Sequence, residues 1–376
     1  MDNQSPATLI EHFSSITDPR IDRTKRHQLI DILVISVCAT ICGAETWEDF
    51  ELFGRCKLDW FKSFLRLPNG IPSHDTFRRV FARLDPSQFQ QSFLDWVRSV
   101  TKFTAGQIVA IDGKKLRRSA DKRAGKTAIN IVSAWAEHNR LVLGQVRVDD
   151  KSNEITAIPE LLNMLEIAGC IVTIDAQGCQ TEIASKITQK KADYVLAVKW
   201  NQPGLFEDIS QYFDWALADK FNQTTYSRDE TVDGDHGRIE VRRCYATADI
   251  SWLRRKAEWV GVQSVAMVES ERTVKGETTS KERRYYISSL KAEAKELNRV
   301  IRGHWSIENS LHWVLDIAFR EDDSRIRKDN GPENVATLRH IALNLLKQDK
   351  SIKVGIKSKR KNAGWSESYL LKVLNG

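Results

Sequence analysis

Three stretches of this chain hold residue types that handle metal ions and phosphate esters. "VAIDGKKLRRS" (109–119) and "TIDAQGCQ" (173–180) each carry a short apolar run that ends in an aspartate, Asp112 and Asp175. "HWSIENSLHWVLDIAF" (304–319) sets His304, Glu308 and His312 four residues apart. Four-residue steps put side chains on one helical face. Histidines at that spacing can chelate zinc, but the stretch has no His-Glu-x-x-His and no paired cysteines follow it. Three ligands over two turns of a straight helix also converge poorly on one ion. Carboxylates at neighbouring strand ends suit a different chemistry. Magnesium takes oxygen ligands and needs only one or two carboxylates per ion beside substrate phosphate oxygens. A pair of such ions can activate an attacking oxygen and stabilise a leaving one in phosphodiester chemistry. Glu308 is the natural third carboxylate.

The elements needed to bring these groups together are legible in the period of the sequence. "IVAID" reads as a buried strand, and "AINIVSAWAEHNRLVLGQVRVDD" (128–150) as two strands joined by a hairpin at His138–Arg140. A helix over 155–169, an apolar strand at 170–178, a helix at 180–191 and a strand at 192–201 follow. Three strands, then helix, strand, helix, strand, predict a mixed α/β sheet with helices on its faces. That is the order of a ribonuclease H-like core, with Asp112 and Asp175 at the C-terminal ends of central strands, where open α/β sheets collect ligands. Small neighbours (Gly113, Ala176) would let a phosphate backbone approach closely.

On either side of the core the pattern changes. Residues 1–100 step by three and four throughout and predict a helical domain, with Ser73 and Pro86 placed as helix starters. Residues 202–290 hold aromatic helical pieces and then stretches that alternate as strands (234–249, 259–274 and 278–290), and read as a β-rich insertion. Residues 291–319 predict one helix carrying Glu308, followed by a helix over 332–348, so that 291–348 completes the core; 349–376 reads as a basic tail. Ile307, Leu311, Leu315 and Ala318 form an apolar stripe that leaves Glu308 on its flank. Trp305 and Trp313 are expected to pack. Asp316, Glu321, Asp322 and Asp323 are expected to cap or to pair with Arg320, Arg325 and Arg327.

Lys plus Arg is 57 against 50 for Asp plus Glu, a formal charge of +7. This balance is compatible with a polyanionic partner. The positive charge concentrates in "KKLRRSADKRAGK" (114–126) and "KQDKSIKVGIKSKRK" (347–361), each either a solvated surface or a nucleic-acid contact. The apolar run 29–44 is shorter than the roughly 20 residues that span a bilayer and begins beside charges, so it reads as a buried helix. Six cysteines without a CxxC pair and no secretory signal point to reduced thiols and a cytoplasmic location.

At these residues the chain resembles bacterial insertion-sequence transposases of the DDE type, specifically the H-repeat-associated group linked to Rhs elements. The resemblance runs nearly end to end, through "DPRIDRTKRH" (18–27), "GAETWEDF" (43–50), "PSHDTFRRVF" (72–81), the two aspartate motifs, "DHGRIEVRR" (235–243), "RRYYISSL" (283–290), "HWSIENSLHWVLDIAFRED" (304–322) and "NVATLRHIALNLLK" (334–347). It implies a ribonuclease H-like core with Asp112, Asp175 and Glu308 as metal-binding triad. Asp112 and Asp175 are 63 residues apart, and 133 residues separate Asp175 from Glu308. The second gap is too long for one connection and must hold structure of its own.

The chain departs from the Tyr-x2-Arg-x3-Glu-x6-Lys pattern of many such enzymes. Ile301, His304 and Leu315 stand at those positions. The resemblance implies an enzyme that cuts double-stranded DNA at terminal inverted repeats and joins 3′ ends to target DNA. It would use magnesium, with manganese as substitute, and act as a homodimer at the synapse, nucleoid-associated when bound and with no membrane partner. Candidate DNA contacts are Lys114, Lys115, Arg117, Arg118, His236, Arg238, Arg242, His304, Asn309 and His312. On the strand face of Arg238, Glu240 and Arg242, a salt-bridge ladder is the competing reading. A DNA-binding remnant without activity and a structure-directed nuclease are the competing functions.

Overall fold

The computed structural model describes residues 9–101, 104–121, 125–148, 152–235, 238–274 and 277–375. Six helices come first: α1 (Leu9–Phe13), α2 (Leu29–Cys42), α3 (Trp47–Cys56), α4 (Leu58–Lys62), α5 (His74–Arg83) and α6 (Pro86–Val100). The run 29–44 is α2, and Gly43 ends it at φ +110, a left-handed conformation that suits a residue without Cβ. From Ile32 to Ile41 every residue of α2 is buried, which explains why the run is apolar all round. Asp85 caps α6 by accepting a hydrogen bond from the Ser87 amide, with Pro86 in the first turn.

The core follows as β1 (Ile108–Lys115), β2 (Asn130–Ala136), β3 (Leu141–Val148), α7 (Glu154–Met164), β4 (Ile171–Ile174), α8 (Thr181–Gln189) and β5 (Asp193–Val198). Next come α9 (Pro203–Ala218), β6 (Ser227–Asp235), β7 (Arg238–Thr247), β8 (Ser264–Val274) and β9 (Glu277–Ser288). The strands form one nine-stranded sheet ordered β3-β2-β1-β4-β5-β9-β8-β7-β6. β1, β2 and β3 are antiparallel neighbours, and β4 and β5 run parallel to β1. This is the ribonuclease H-like order expected from the sequence. The strands of 202–290 continue that sheet, because β9 pairs antiparallel with β5.

After β9 come α10 (Ala294–His304), a π-helical segment over Glu308–His312, α11 (Trp313–Phe319), α12 (Gly331–Gln348), α13 (Ile356–Trp365) and α14 (Glu367–Asn375). The single helix expected over 291–319 is therefore broken. α12 is the hub between helices and sheet: Gly331 to Leu346 is buried apart from Glu333. Its amides serve its neighbours. Asn334 donates to the carbonyls of Phe81 (2.8 Å) and Leu84 (3.0 Å) beyond α5. Asn344 accepts from the Val142 amide at 2.9 Å and donates to the Val142 carbonyl at 2.8 Å. β3 is an edge strand, so Asn344 supplies the partners that a further strand would have supplied.

The basic C-terminal stretch is not the solvated tail that its charge suggests. Lys359 and Arg360 are both 6% exposed. Lys359 donates to the Leu346 carbonyl at 2.9 Å, and Arg360 to the Thr40 carbonyl at 2.9 Å while its guanidinium lies 4.1 Å from the Phe319 ring centre. The last carbonyls of a helix lack intrahelical donors, and two buried cations satisfy them for α12 and α2. All six cysteines are free; Cys56 is exposed and Cys38, Cys170, Cys179 and Cys244 are buried.

Replacing Asn344 with Ala strands a buried amide and a buried carbonyl of β3. The expected loss is on the order of 2–4 kcal/mol of stability, read as a lower urea midpoint with unchanged slope.

Candidate active site

β1 and β4 lie side by side in register Ile111 to Ile174, so Asp112 and Asp175 emerge at the same end of the sheet. Asp175 starts a one-turn 3-10 helix, its Oδ1 accepting from the Gln177 amide at 3.1 Å. Asp112 is largely buried, and across from it the π-helical segment delivers Glu308 and His312. His312 Nδ1 lies 3.5 Å from Asp112 Oδ2 and 3.8 Å from Glu308 Oε2. Among the described residues these three form a group with ligand atoms all within 4.8 Å of one another.

Electrostatics follow from this crowding. Burial pushes the Asp112 carboxyl up to about 7; the charges of Glu308 and Asp175 add to the rise and His312 opposes it. The His312 imidazole beside Glu308 holds that carboxyl below the usual carboxylate range. Carboxylates crowded this way repel, and a divalent cation relieves the repulsion. An oxygen-rich set on rigid elements fits magnesium or manganese. Zinc chelation by His304, Glu308 and His312 does not: His304 Nδ1 is 3.0 Å from Thr173 Oγ1 instead.

The path of the chain explains the break at Trp305. Gly303 presses α10 against β1, where a Cβ would stand 2.4 Å from Ile108 Cδ1. With His304 tied to Thr173 of β4, the end of α10 is fixed on the sheet. Beyond the turn, Ile307, Leu311 and Leu315 fill the core at 0, 0 and 1% exposure, as their stripe predicts. The wider π winding is a frequent companion of functional sites, and here it carries Glu308 and His312.

Several expected DNA contacts have other work. Lys114 Nζ lies 2.5 Å from Asp316 Oδ1 and 2.8 Å from Glu321 Oε2, with only 13% of its side chain exposed. It is a clamp and not a phosphate ligand. Asp316 and Glu321 thus pair with Lys114 and not with Arg320, Arg325 or Arg327. Glu321 is also 3.6 Å from buried Arg339. Burial pushes the Glu321 carboxyl up, but Lys114 and Arg339 outweigh it and hold it below its ordinary value. Arg117 and Arg118 are exposed and reach Asp322 and Asp323, each at 3.3 Å, while Arg320 meets Asp323 at 3.2 Å.

Lys115 is exposed at the end of β1. His304, mostly covered at the end of α10, is pushed down to about 4 by burial and so is neutral near pH 7; a neutral covered ring does not neutralise a phosphate. His312 is buried too, facing carboxylates. Arg242 pairs with Glu240 at 3.4 Å, as a salt-bridge ladder requires. Both line a cleft with Arg140, Arg299, Arg302 and Asn309. His236 lies outside the described residues, as does the side chain of Arg238.

The tryptophans do not pack as expected. Trp313 is 60% exposed and Trp305 36%. The Arg284 guanidinium sits 4.7 Å from the Trp305 ring centre. Glu154, the first residue of α7, was not legible as a site residue. An acid in the first turn of a helix is the ordinary complement to its dipole, and nothing in its motif marks it out. It occupies the space above Gly113: a Cβ there would lie 2.1 Å from Glu154 Oε1. The room beside Asp112 that suggested phosphate access is filled by this carboxylate.

Strand order, an aspartate just past the end of β4, another inside β1 where its pairing with β4 ends, and a helix-borne glutamate define a ribonuclease H-like fold with an acidic site; β1 runs on to Lys115, so Asp112 does not end its strand as expected. Over residues 103–345 the chain matches the transposase DDE domain, and over 10–97 the DDE_Tnp_1-associated domain. The chain belongs to the DDE transposase family. It is 42% identical to the "Putative transposase YncI" of Escherichia coli O157:H7, covering 98% of this chain and 94% of that one. It is 41% identical to the "H repeat-associated putative transposase YhhI" of Escherichia coli K12 over 98% of both. A solved piggyBac transposase synaptic complex with hairpin DNA superposes on 98% of this chain and 79% of its own, with a TM-score of 0.41 and 12% identity. The fold assignment stands on the strand order and not on that likeness.

Lys114→Met should leave Glu321 and Asp316 without their shared cation. The expected cost is about 3–5 kcal/mol, seen as a lower melting temperature in metal-free buffer.

Proposed function

We propose that this protein is an insertion-sequence transposase that cleaves DNA at terminal inverted repeats and transfers the 3′ ends to target DNA. Asp112, Asp175 and Glu308 are the proposed metal-holding carboxylates, with magnesium as the native ion. The observation that carries the reading is the convergence of Asp112, Glu308 and His312 within 4.8 Å of one another, beside the strand that ends in Asp175. Residues almost 200 positions apart in the chain meet at one end of a sheet, in a family of transposases.

The roles follow from the surroundings. Divalent cations held there would activate the attacking oxygen and stabilise the leaving one of a phosphodiester. Asp112 and Asp175 sit on adjacent strands and give the site a rigid base. Glu308, half exposed on the π-helical segment, faces the side from which substrate enters. His312 supports both carboxylates from behind and holds Glu308 ionised.

DNA is placed in the cleft lined by Arg140, Arg242, Arg299, Arg302, Trp305 and Asn309, which adjoins Glu308 in sequence and space. Arg140, at φ +56 in the β2–β3 hairpin, supplies positive charge at the rim. Phosphate contacts of this kind position a duplex without reading its sequence. The N-terminal helices are assigned to DNA recognition. Arg26, His27, Arg79 and Arg83 gather around one surface hollow there, a second candidate phosphate contact. Joining two ends requires two protomers at the synapse, and the work is assigned to the cytoplasm, on the nucleoid.

Asp112→Asn, Asp175→Asn and Glu308→Gln should each lower magnesium-dependent nicking of end-containing DNA by about 100-fold or more. End binding, followed by gel shift in EDTA, should persist. Full nicking in any one variant removes that residue from the site. Wild-type protein that binds ends yet never nicks with magnesium or manganese would identify a DNA-binding remnant, and nicking without preference for end sequence a structure-directed nuclease.

A further inference from the structure

Successive side chains of a strand point to opposite faces of the sheet. Asp112 therefore faces the α10 side of β1, as Ile108 does where it packs with α10 residues, and position 113 faces the α7 side. That position is a glycine, and its missing Cβ is what lets a carboxylate lie there. An added Cβ would stand 2.1 Å from Glu154 Oε1, 2.3 Å from Cδ and 2.8 Å from Oε2. Glu154 is held in place by the start of α7, where Asn153 caps the helix by accepting from the Ile155 amide at 3.0 Å.

Glu154 is half-buried, and among the described residues it has no hydrogen-bond or ion-pair partner. A buried carboxylate without a partner is costly. Burial pushes its carboxyl above the ordinary value and the Asp175 charge adds to the rise, while His312 opposes it. Asp175 and His312 are thus the charged groups that act on it.

His312 gives an independent sign that the polar set around Asp112 is incomplete. The residue is 6% exposed, its Nδ1 faces the carboxylates of Asp112 and Glu308, and its Nε2 has no hydrogen-bond partner among the described residues. Asp112, Glu308 and His312 converge within 4.8 Å of one another among the described residues, with Glu154 against Gly113, the next residue of β1, and Asp175 at the end of the neighbouring strand.

We propose that Glu154 is a fourth carboxylate of the metal site, reaching it from the opposite face of the sheet through the gap at Gly113 and holding the divalent cation on the Asp175 side. The inference rests on the triad reading above. It adds a ligand class to that site: a cation there has carboxylate donors from both faces of the sheet, and the glycine after Asp112 is required for ligation and not for DNA approach. Such a residue makes the site tighter for its cation in the absence of DNA than three carboxylates alone would.

The test titrates manganese into the full-length protein without DNA, following free Mn2+ by electron paramagnetic resonance, with melting temperatures recorded in EDTA. Glu154→Gln should weaken Mn2+ binding by about 10-fold or more. Gly113→Ala, which leaves the Glu154 side chain present but displaced, should weaken it similarly. In EDTA, Glu154→Gln should melt no lower than wild type, because it removes an unpaired charge from a group of like charges. The proposal is overturned if Glu154→Gln and Gly113→Ala bind Mn2+ like wild type while Asp112→Asn and Asp175→Asn lose it. It is equally overturned if Glu154→Gln melts lower in EDTA, which would make Glu154 a structural residue. Unchanged binding in Asp112→Asn and Asp175→Asn as well would bring down the triad reading itself.

Discussion

The interaction on which the site depends is an ion cluster in which Lys114 takes both Asp316 and Glu321. Lys114 is two residues beyond Asp112 on β1, and Asp316 lies eight residues beyond Glu308. The ammonium therefore fixes the distance between the strand that bears one carboxylate and the helix that bears another. Buried ion pairs of this kind gain little over an apolar packing but lose heavily when one partner goes. Their value is that they define one geometry. Glu321 extends the tie to Arg339 of α12, and α12 in turn holds the edge strand β3 through Asn344. One chain of polar contacts runs from the site to the far edge of the core.

Around this clamp the molecule gathers negative charge and withholds the positive charge that would quench it. Lys114 is spent on Asp316 and Glu321, and His304 is kept neutral by burial. Among the described residues only His312 faces Asp112 and Glu308 directly. A set of carboxylates left so nearly unopposed is stable only where a cation joins it or where a proton stays on, and Asp112, pushed up to about 7, retains its proton more readily than an ordinary aspartate. The π-helical winding serves the same end. It brings Glu308 and His312 to the end of β1 while Ile307 and Leu311 stay in the core.

Much of this was legible in the sequence because it follows from periods and strand ends. Alternating and apolar runs mark β1 to β5 with their order, and an aspartate that closes a buried apolar run has one place to go. Contacts between distant segments were not legible. "GKKLRR" reads as one basic patch, yet Lys114 is buried against acids 202 and 207 residues away while Lys115 stays in solvent. "KSKRK" in the C-terminal stretch reads as a tail, yet Lys359 and Arg360 close helix ends. A charge in the sequence carries no mark of whether it meets water or a carbonyl. The tryptophans fail for the converse reason: aromatic residues usually pack, but Trp305 and Trp313 fall on the outer side of a winding that the sequence does not announce.

The sequence by itself determined the strand order, the two aspartates that close apolar runs, the apolar stripe behind Glu308 and the family to which the chain belongs. These are local patterns, repeated within a few residues and imposed by backbone geometry. Only the tertiary structure decided that Lys114 is a clamp, that the helix breaks at Trp305, that His312 and not His304 meets the carboxylates, and that Glu154 occupies the space above Gly113. Each of these depends on where two elements distant in the chain come to rest against each other. Packing and charge compensation settle that between segments, and no period within one segment records it.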